Sequence, residues 1–227
     1  MNYAVILSGG VGTRLGLEVP KQYYKVKGKP ILQYVLETIE KSRRFAGVVI
    51  VAAKEWHRDI EEMLWGIGEL PLLGFAEPGE NRQLSIYHGL LALKGMAAEG
   101  DVVLIQDGAR PNTTVDLLLR CLDFSDEQDG ILPVLPMKDA VYLSHSGKQA
   151  DALIPREKVF AGQAPEAFLY GKYLRANENL LPDRILKING SSEPAILAGM
   201  NIAFIDGDEK NYKITTKADL ERFAESL

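Results

Sequence analysis

Apolar and polar positions change period several times along the chain, and each change marks an element. Tyr3 to Leu7 is a short apolar run stopping at Gly9 and Gly10, the pattern of a buried parallel strand that feeds directly into a turn. From Pro30 to Arg44 the apolar residues fall at Ile31, Leu32, Val35, Leu36 and Ile39, which predicts a helix with one buried face and proline in its first turn. Val48 to Ala53 reads as a second buried strand and Trp56 to Trp65 as a second helix, with Asp59, Glu61 and Glu62 on its wet side. Leu72 to Ala76 predicts a third strand, and PGENRQLSIYHGL from Pro78 begins as a turn and continues as a helix with Ile86, Leu90 and Leu91 toward the core. Asp101 to Gln106 is the most evident strand of all, and Thr113 or Thr114 caps a helix through Cys121. Alternation of strand and helix with short connections predicts a Rossmann-like, doubly wound, mostly parallel α/β sheet in a single domain. In such sheets ligands lie beyond the carboxyl ends of the strands.

Between Gly130 and Phe168 the helical period disappears. Alternation through Val141, Leu143 and Phe160 around a Ser146-Gly147 turn predicts a β-arm, at about 136–165, that projects from the sheet. A two-stranded ribbon is marginal in water by itself, so a partner surface is expected to bury it. The end of the chain predicts a short helix near Glu193 to Leu197, a strand at Ile202 to Ile205, and a last helix opened by a Thr216/Asp219 capping box.

Composition narrows the function classes. The 227 residues are 46% hydrophobic and 25% charged, ordinary for a globular domain, and the net charge of −5 argues against a general nucleic-acid surface. No stretch reaches the roughly 18 apolar residues of a membrane span, and the single Cys121 reads as a reduced core residue. These features lead us to expect a cytoplasmic protein. His57, His88 and His145 are scattered without metal-ligand spacing.

The chemistry concentrates after the first strand, in the stretch YAVILSGGVGTRLGLEVPKQ. Gly9, Gly10, Gly12 and Gly16 let the backbone aim several N–H groups at one anion, and Arg14 and Lys21 add a guanidinium fork and a mobile ammonium. The loop reads as a phosphate cradle. It is not a Walker loop, since Gly16 is followed by Leu17. Nor is it the dinucleotide fingerprint, whose third glycine position holds Leu15. The plainer alternative is a glycine-rich turn with solvated charges. At the end of the Asp101 strand, Asp107 faces these cations, the expected place for a hard divalent ion such as Mg²⁺.

GGVGTRLG followed by VPKQ resembles the signature of nucleotidyltransferases that act on sugar and polyol phosphates, most closely the polyol-phosphate cytidylyltransferases. The resemblance spans nearly the whole chain. It implies a CTP site built from Leu7, Ser8, Gly9, Gly10, Gly12 and Thr13 together with Gly79, Glu80, Arg82 and Ser85, which match a Gly-acidic-x-Arg-x-x-Ser segment lying against the base. It implies catalytic roles for Arg14, Lys21 and Lys213, the last in an Asn-x-Lys-[Ile/Val]-Thr run, and acceptor binding by Asp107, Gly108, Arg110 and Arg156. Arg156, on the arm, is then expected to reach a second subunit's site in a homodimer. The implied reaction transfers CMP from CTP to a polyol phosphate and releases pyrophosphate.

The two branches of that family, methylerythritol phosphate and ribitol phosphate enzymes, differ at the acceptor. Where the methylerythritol branch usually carries a Thr after its Arg-Asp and a Gln-Thr-Pro-Gln run, this chain has Lys138-Asp139-Ala140 and Gln163-Ala164-Pro165-Glu166, and an acidic position is Lys210. Gly28-Lys29-Pro30, Lys54-Glu55-Trp56 and Lys213-Ile214-Thr215-Thr216 lean toward the ribitol branch. A ribitol 5-phosphate-like acceptor is therefore favoured, with methylerythritol phosphate as the alternative. An inactive nucleotide-binding interaction protein is a second alternative, motivated by the altered acceptor positions.

Overall fold

The structure is a computed structural model that describes residues 1–10, 16 and 19–227. In chain order its elements are β1 (Asn2–Leu7), β2 (Lys25–Val26), β3 (Lys29–Pro30), α1 (Ile31–Ser42), β4 (Gly47–Val51), α2 (His57–Trp65), β5 (Leu72–Ala76), α3 (Arg82–Ala92), β6 (Val102–Asp107) and α4 (Val115–Cys121). They continue with β7 (Gly130–Pro136), β8 (Val141–Leu143), β9 (Ala152–Ile154), β10 (Phe160–Gly162), β11 (Glu166–Leu169), α5 (Tyr170–Glu178), α6 (Glu193–Leu197), β12 (Ile202–Asp206) and α7 (Lys217–Ser226).

The period-2 alternation of β1 sends Ala4 and Ile6 into one layer and Tyr3 and Val5 into the other. On the first face α1, α2 and α4 close the core with Leu32, Leu36, Ile60 and Leu117, and on the second α3 and α5 do so with Ile86, Leu90 and Tyr173. Each such side chain contributes about 1.5–3 kcal/mol relative to exposure, so covering both faces is what holds the sheet between its helices. Helix α3 comes so near β1 that a Cβ on Gly89 would sit 2.4 Å from Val5 Cγ1.

The central sheet runs β5-β4-β1-β6-β11-β7, with β10 and β12 both beside β7. Pairs β1/β4, β1/β6, β4/β5 and β7/β12 are parallel, and β10 and β11 enter antiparallel. The expected mostly parallel, doubly wound α/β sheet is present, with this antiparallel insertion as the finding the sequence did not foreshadow. Of the expected arm, Pro136 and β10 belong to the sheet, and the sheet strands β7 and β11 flank it. Off the sheet stands the hairpin β8/β9, turned at Gly147 with φ +69°, whose Tyr142 and Leu153 are 61% and 64% exposed. A small third core of Val26, Ile31, Ile214 and Phe223 docks α7, whose Thr216/Asp219 capping box is formed as its spacing predicts.

Candidate active site

Parallel register decides where the chemistry gathers. Leu7 at the end of β1 pairs with Asp107 at the end of β6 and Val51 at the end of β4, so the segments that follow these strands meet at one sheet edge. Gly9 there lies against Pro78, from the segment after β5, so closely that a Cβ would sit 2.5 Å from Pro78 Cγ. Only glycine permits that approach. Helix α3 starts at the same edge, capped by the Asn81 side chain, which accepts from the Leu84 N–H at 2.8 Å. Its first turn faces a cleft of about 590 Å³. A helix N-terminus opening onto a cleft favours an anionic ligand.

Asp107 is the centre of the cleft's electrostatics. Its carboxylate is almost wholly buried, at 5% exposure of the residue, and three cations converge on it. Arg82 donates to Oδ1 from Nε at 3.2 Å and Nη2 at 3.1 Å, Arg110 Nε to Oδ2 at 3.3 Å, and Lys213 Nζ lies 3.1 Å from Oδ2. Burial pushes the Asp107 carboxyl up, but the charges of Arg82, Lys213 and Arg110 outweigh it and hold the group well below the usual carboxylate range. Burial likewise works against the Arg82 guanidinium, and Asp107 more than restores it. Three positive charges around one negative charge leave the site with a surplus of two, suited to polyphosphate.

The structure brings together most of the residues singled out in the sequence. Leu7, Gly9, Gly10 and Lys21 line the cleft from the β1 side; Gly79, Glu80, Arg82 and Ser85 line it from the α3 side; Asp107 and Lys213 form its floor and far wall. Ser85 also organises its own turn, since its hydroxyl accepts from the Gly79 N–H and donates to the Asn81 carbonyl, both at 2.9 Å. Gly12, Thr13 and Arg14 lie outside the described residues. Ser8 does not line the cleft, because its N–H is donated to Val51 O at 2.8 Å and its hydroxyl is engaged with the Tyr23 phenol at 3.0 Å. Gly108 and Arg110 sit behind the wall. A Cβ on Gly108 would lie 3.0 Å from Leu7 O, and Arg110 is held between Asp107 and the Asn211 carbonyl, the latter at 2.6 Å. Arg156 is exposed beside the hairpin, donating to Lys138 O at 2.9 Å.

Three residues that matter to this arrangement were not picked out as functional. Gln22, buried beside Lys21, donates to Ser8 O at 2.6 Å and Gly10 O at 2.9 Å, turning both carbonyls inward. Asn211, fully buried, ties the segment carrying Lys213 to the end of β6. Glu166 places a second carboxyl behind Arg82; burial pushes it up, with the Arg82 charge offsetting part of the shift. Gln22 lies inside the quoted VPKQ run and Asn211 inside Asn-x-Lys, so the signal was present but their buried partners were not readable.

Magnesium at Asp107 does not fit this geometry. An ionised carboxylate offers about four lone-pair positions, and the contacts from Arg82, Arg110 and Lys213 occupy them. Among the described residues no group of three acidic, His or Cys side chains is placed to hold an ion. The expectation of Asp107 as a metal ligand is corrected accordingly: its charge is already spent on three cations. Among the described residues, too, no helix is long and apolar enough to cross a membrane.

A mostly parallel α/β sheet with a cation-lined cleft at the carboxyl ends of β1 and β6 is the architecture of the nucleotidyltransferase class. Solved structures agree: the 2-C-methyl-D-erythritol 4-phosphate cytidylyltransferase of Francisella tularensis superposes with a TM-score of 0.81 at 23% identity, covering 100% of this chain and 99% of that one, which shows the fold. The model of the 2-C-methyl-D-erythritol 4-phosphate cytidylyltransferase (IspD) family matches residues 2–227, and the chain belongs to that family. The enzyme of that name from Geobacter metallireducens is 35% identical over 221 residues, 96% of this chain and 94% of its own length. That from Geobacillus thermodenitrificans is 30% identical, covering 100% of this chain and 97% of its own length. The protein is thus a CTP-dependent cytidylyltransferase, of a family that generally depends on a divalent metal. The preference for a ribitol phosphate acceptor is corrected by these matches, which side with the methylerythritol alternative.

Proposed function

We propose that this enzyme transfers CMP from CTP to 2-C-methyl-D-erythritol 4-phosphate, releasing pyrophosphate. The observation that carries the reading is the convergence of Lys213, Arg82 and Arg110 on Asp107 in a cleft that Lys21 also lines, in a chain of this family. An acceptor phosphate oxygen attacks the α-phosphorus of CTP, the bond to the β-phosphate oxygen breaks in line, and pyrophosphate leaves. Charge grows on the oxygens around the α-phosphorus as this happens. Lys21 and Lys213, with Arg14, supply the positive charge there, and preorganised charge of this kind is the largest single source of rate in such transfers. The acceptor phosphate is already ionised, so no general base is needed.

In this reading Gly79, Glu80 and Ser85, which line the cleft, receive the nucleotide base, and Asp107 and Arg110 act on the acceptor end only through the cations they hold in place. The exposed apolar residues of β8 and β9 support a homodimer of one nucleotidyltransferase domain built through this hairpin, in which Arg156 would reach the partner's acceptor site. The test is pyrophosphate release with the methylerythritol acceptor and each nucleoside triphosphate in turn. CTP should be preferred, because purines need a wider slot and present a different hydrogen-bonding edge. Equal rates with ATP would overturn the reading.

A further inference from the structure

Lys213 sits on a segment with no helix or strand of its own, between β12 and α7, and its side chain is a third exposed. A lysine loses much rotamer freedom when fixed, so something rigid must set where its stem begins. That segment is pinned at two points that bracket the lysine. After it, the Ile214 N–H donates to Ala109 O at 2.9 Å. Before it lies Asn211, 0% exposed, with its side-chain amide and its backbone all engaged. Asn211 Nδ2 donates to Ala164 O at 2.8 Å, Oδ1 accepts from Thr113 Oγ1 at 3.0 Å, its carbonyl accepts from Arg110 Nη1 at 2.6 Å, and its N–H donates to Asp208 O at 2.9 Å.

Asp208 belongs to the same segment, whereas Arg110 and Thr113 come from the loop after β6 and Ala164 from the turn into β11, the two parts of the fold against which Lys213 must be placed. Thr113 is itself held by Gln106, which donates to its hydroxyl at 3.0 Å and to the Asp107 carbonyl at 3.1 Å. A chain of polar contacts therefore runs from Asp107's own backbone to the residue two before Lys213, the single Thr113 hydroxyl proton being shared between Asn211 Oδ1 and the Arg110 carbonyl at 2.9 Å. Its key position requires a donor on one side and an acceptor on the other, which a side-chain amide supplies and an aspartate or leucine of similar size does not.

We propose that Asn211 is a positioning residue for the cytidylyl transfer, setting the Lys213 ammonium against Asp107 and the reacting phosphate. The inference rests on the role of Lys213 argued above. Asn211 touches no substrate and acts only through the placement of its neighbour.

A double-mutant cycle on kcat tests it, using the full chain with thermal unfolding as the check on folding. Lys213→Ala should lower kcat by about 10²-fold. Asn211→Ala should lower kcat at least tenfold with the KM for CTP within about threefold of the parent. The double variant should be no slower than Lys213→Ala alone, within about twofold, since misplacing an ammonium has no effect once it is gone. Losses that multiply would overturn the proposal and mark Asn211 as a structural residue, as would normal kcat in Asn211→Ala. Normal kcat in Lys213→Ala would instead overturn the functional reading and this inference with it. If Asn211→Ala does not fold, Thr113→Val, which removes one anchor and leaves Asn211 in place, carries the same cycle, with the same non-additivity expected and multiplied losses again contradicting it.

Discussion

Lys213 Nζ lies 3.1 Å from Asp107 Oδ2, although one residue ends a central strand and the other comes from the far end of the chain. The contact makes Asp107 the common counterion of Arg82, Arg110 and Lys213. On the proposed function this counterion holds the cations in place before polyphosphate binds, which is the preorganisation that lowers the cost of developing charge.

Removing that counterion should cost stability. Asp107→Ala leaves Arg82, Arg110 and Lys213 facing one another, and breaking a buried ion network costs about 3–5 kcal/mol. Since Arg82 and Lys213 are each about one-third exposed, the lower end, about 3 kcal/mol, is expected in urea unfolding. The carboxyl's pKa is depressed in the fold, so its contribution is complete above the ordinary Asp value of about 3.9 and is lost as pH falls through the lower folded value. A difference between parent and variant that had already vanished at pH 5 would contradict this.

Lys21→Ala should reduce turnover about 10²-fold or more while the thermal transition stays in place, as removal of one preorganised charge does. Near-normal turnover would remove Lys21 from the machinery.

Glu166→Gln should stabilise the protein at alkaline pH. An acid whose folded pKa is raised holds its proton more tightly in the native state, so stability is greatest below the unfolded value of 4.5 and declines as pH climbs through the raised folded value. Glutamine removes the decline. The variant's Tm should exceed the parent's at pH 8 and match it near pH 4; a lower Tm at pH 8 would show that the ionised carboxylate is net favourable beside Arg82.

Arg156→Ala should raise the KM for the acceptor roughly tenfold to hundredfold, the loss of a charge-assisted bond of about 1.5–3 kcal/mol, with CTP binding little changed. Mixing Arg156→Ala with Lys21→Ala subunits should recover one working site per heterodimer. Mixing that restores nothing, or full activity in a monomer at micromolar concentration, would leave Arg156 a solvated residue of the hairpin.

The sequence made legible what depends on neighbours in the chain. The apolar run of β1, Asp107 at the end of β6 and the Thr216/Asp219 cap are local patterns, and each is found where its spacing puts it. Strand β7 was hidden by Pro133 and Pro136, which argue against a central strand, yet Pro133 O accepts from Gln163 N–H and the strand is paired on both edges. Helix α5 was missed because its inward face mixes Tyr170 and Tyr173 with the polar Asn177, blurring the apolar period. In the site, Gln22 and Asn211 escaped for a related reason. A buried amide is recognisable only once its distant carbonyl and hydroxyl partners are known.

On the proposed function, this cleft joins CMP to methylerythritol phosphate. The most direct measurement offers the enzyme limiting CTP with equimolar 2-C-methyl-D-erythritol 4-phosphate and ribitol 5-phosphate, and resolves the products by mass spectrometry. Cytidine diphosphate-methylerythritol is expected as the dominant product, with pyrophosphate released in equal amount. A dominant cytidine diphosphate-ribitol product, or CTP left intact beside both acceptors, would contradict it.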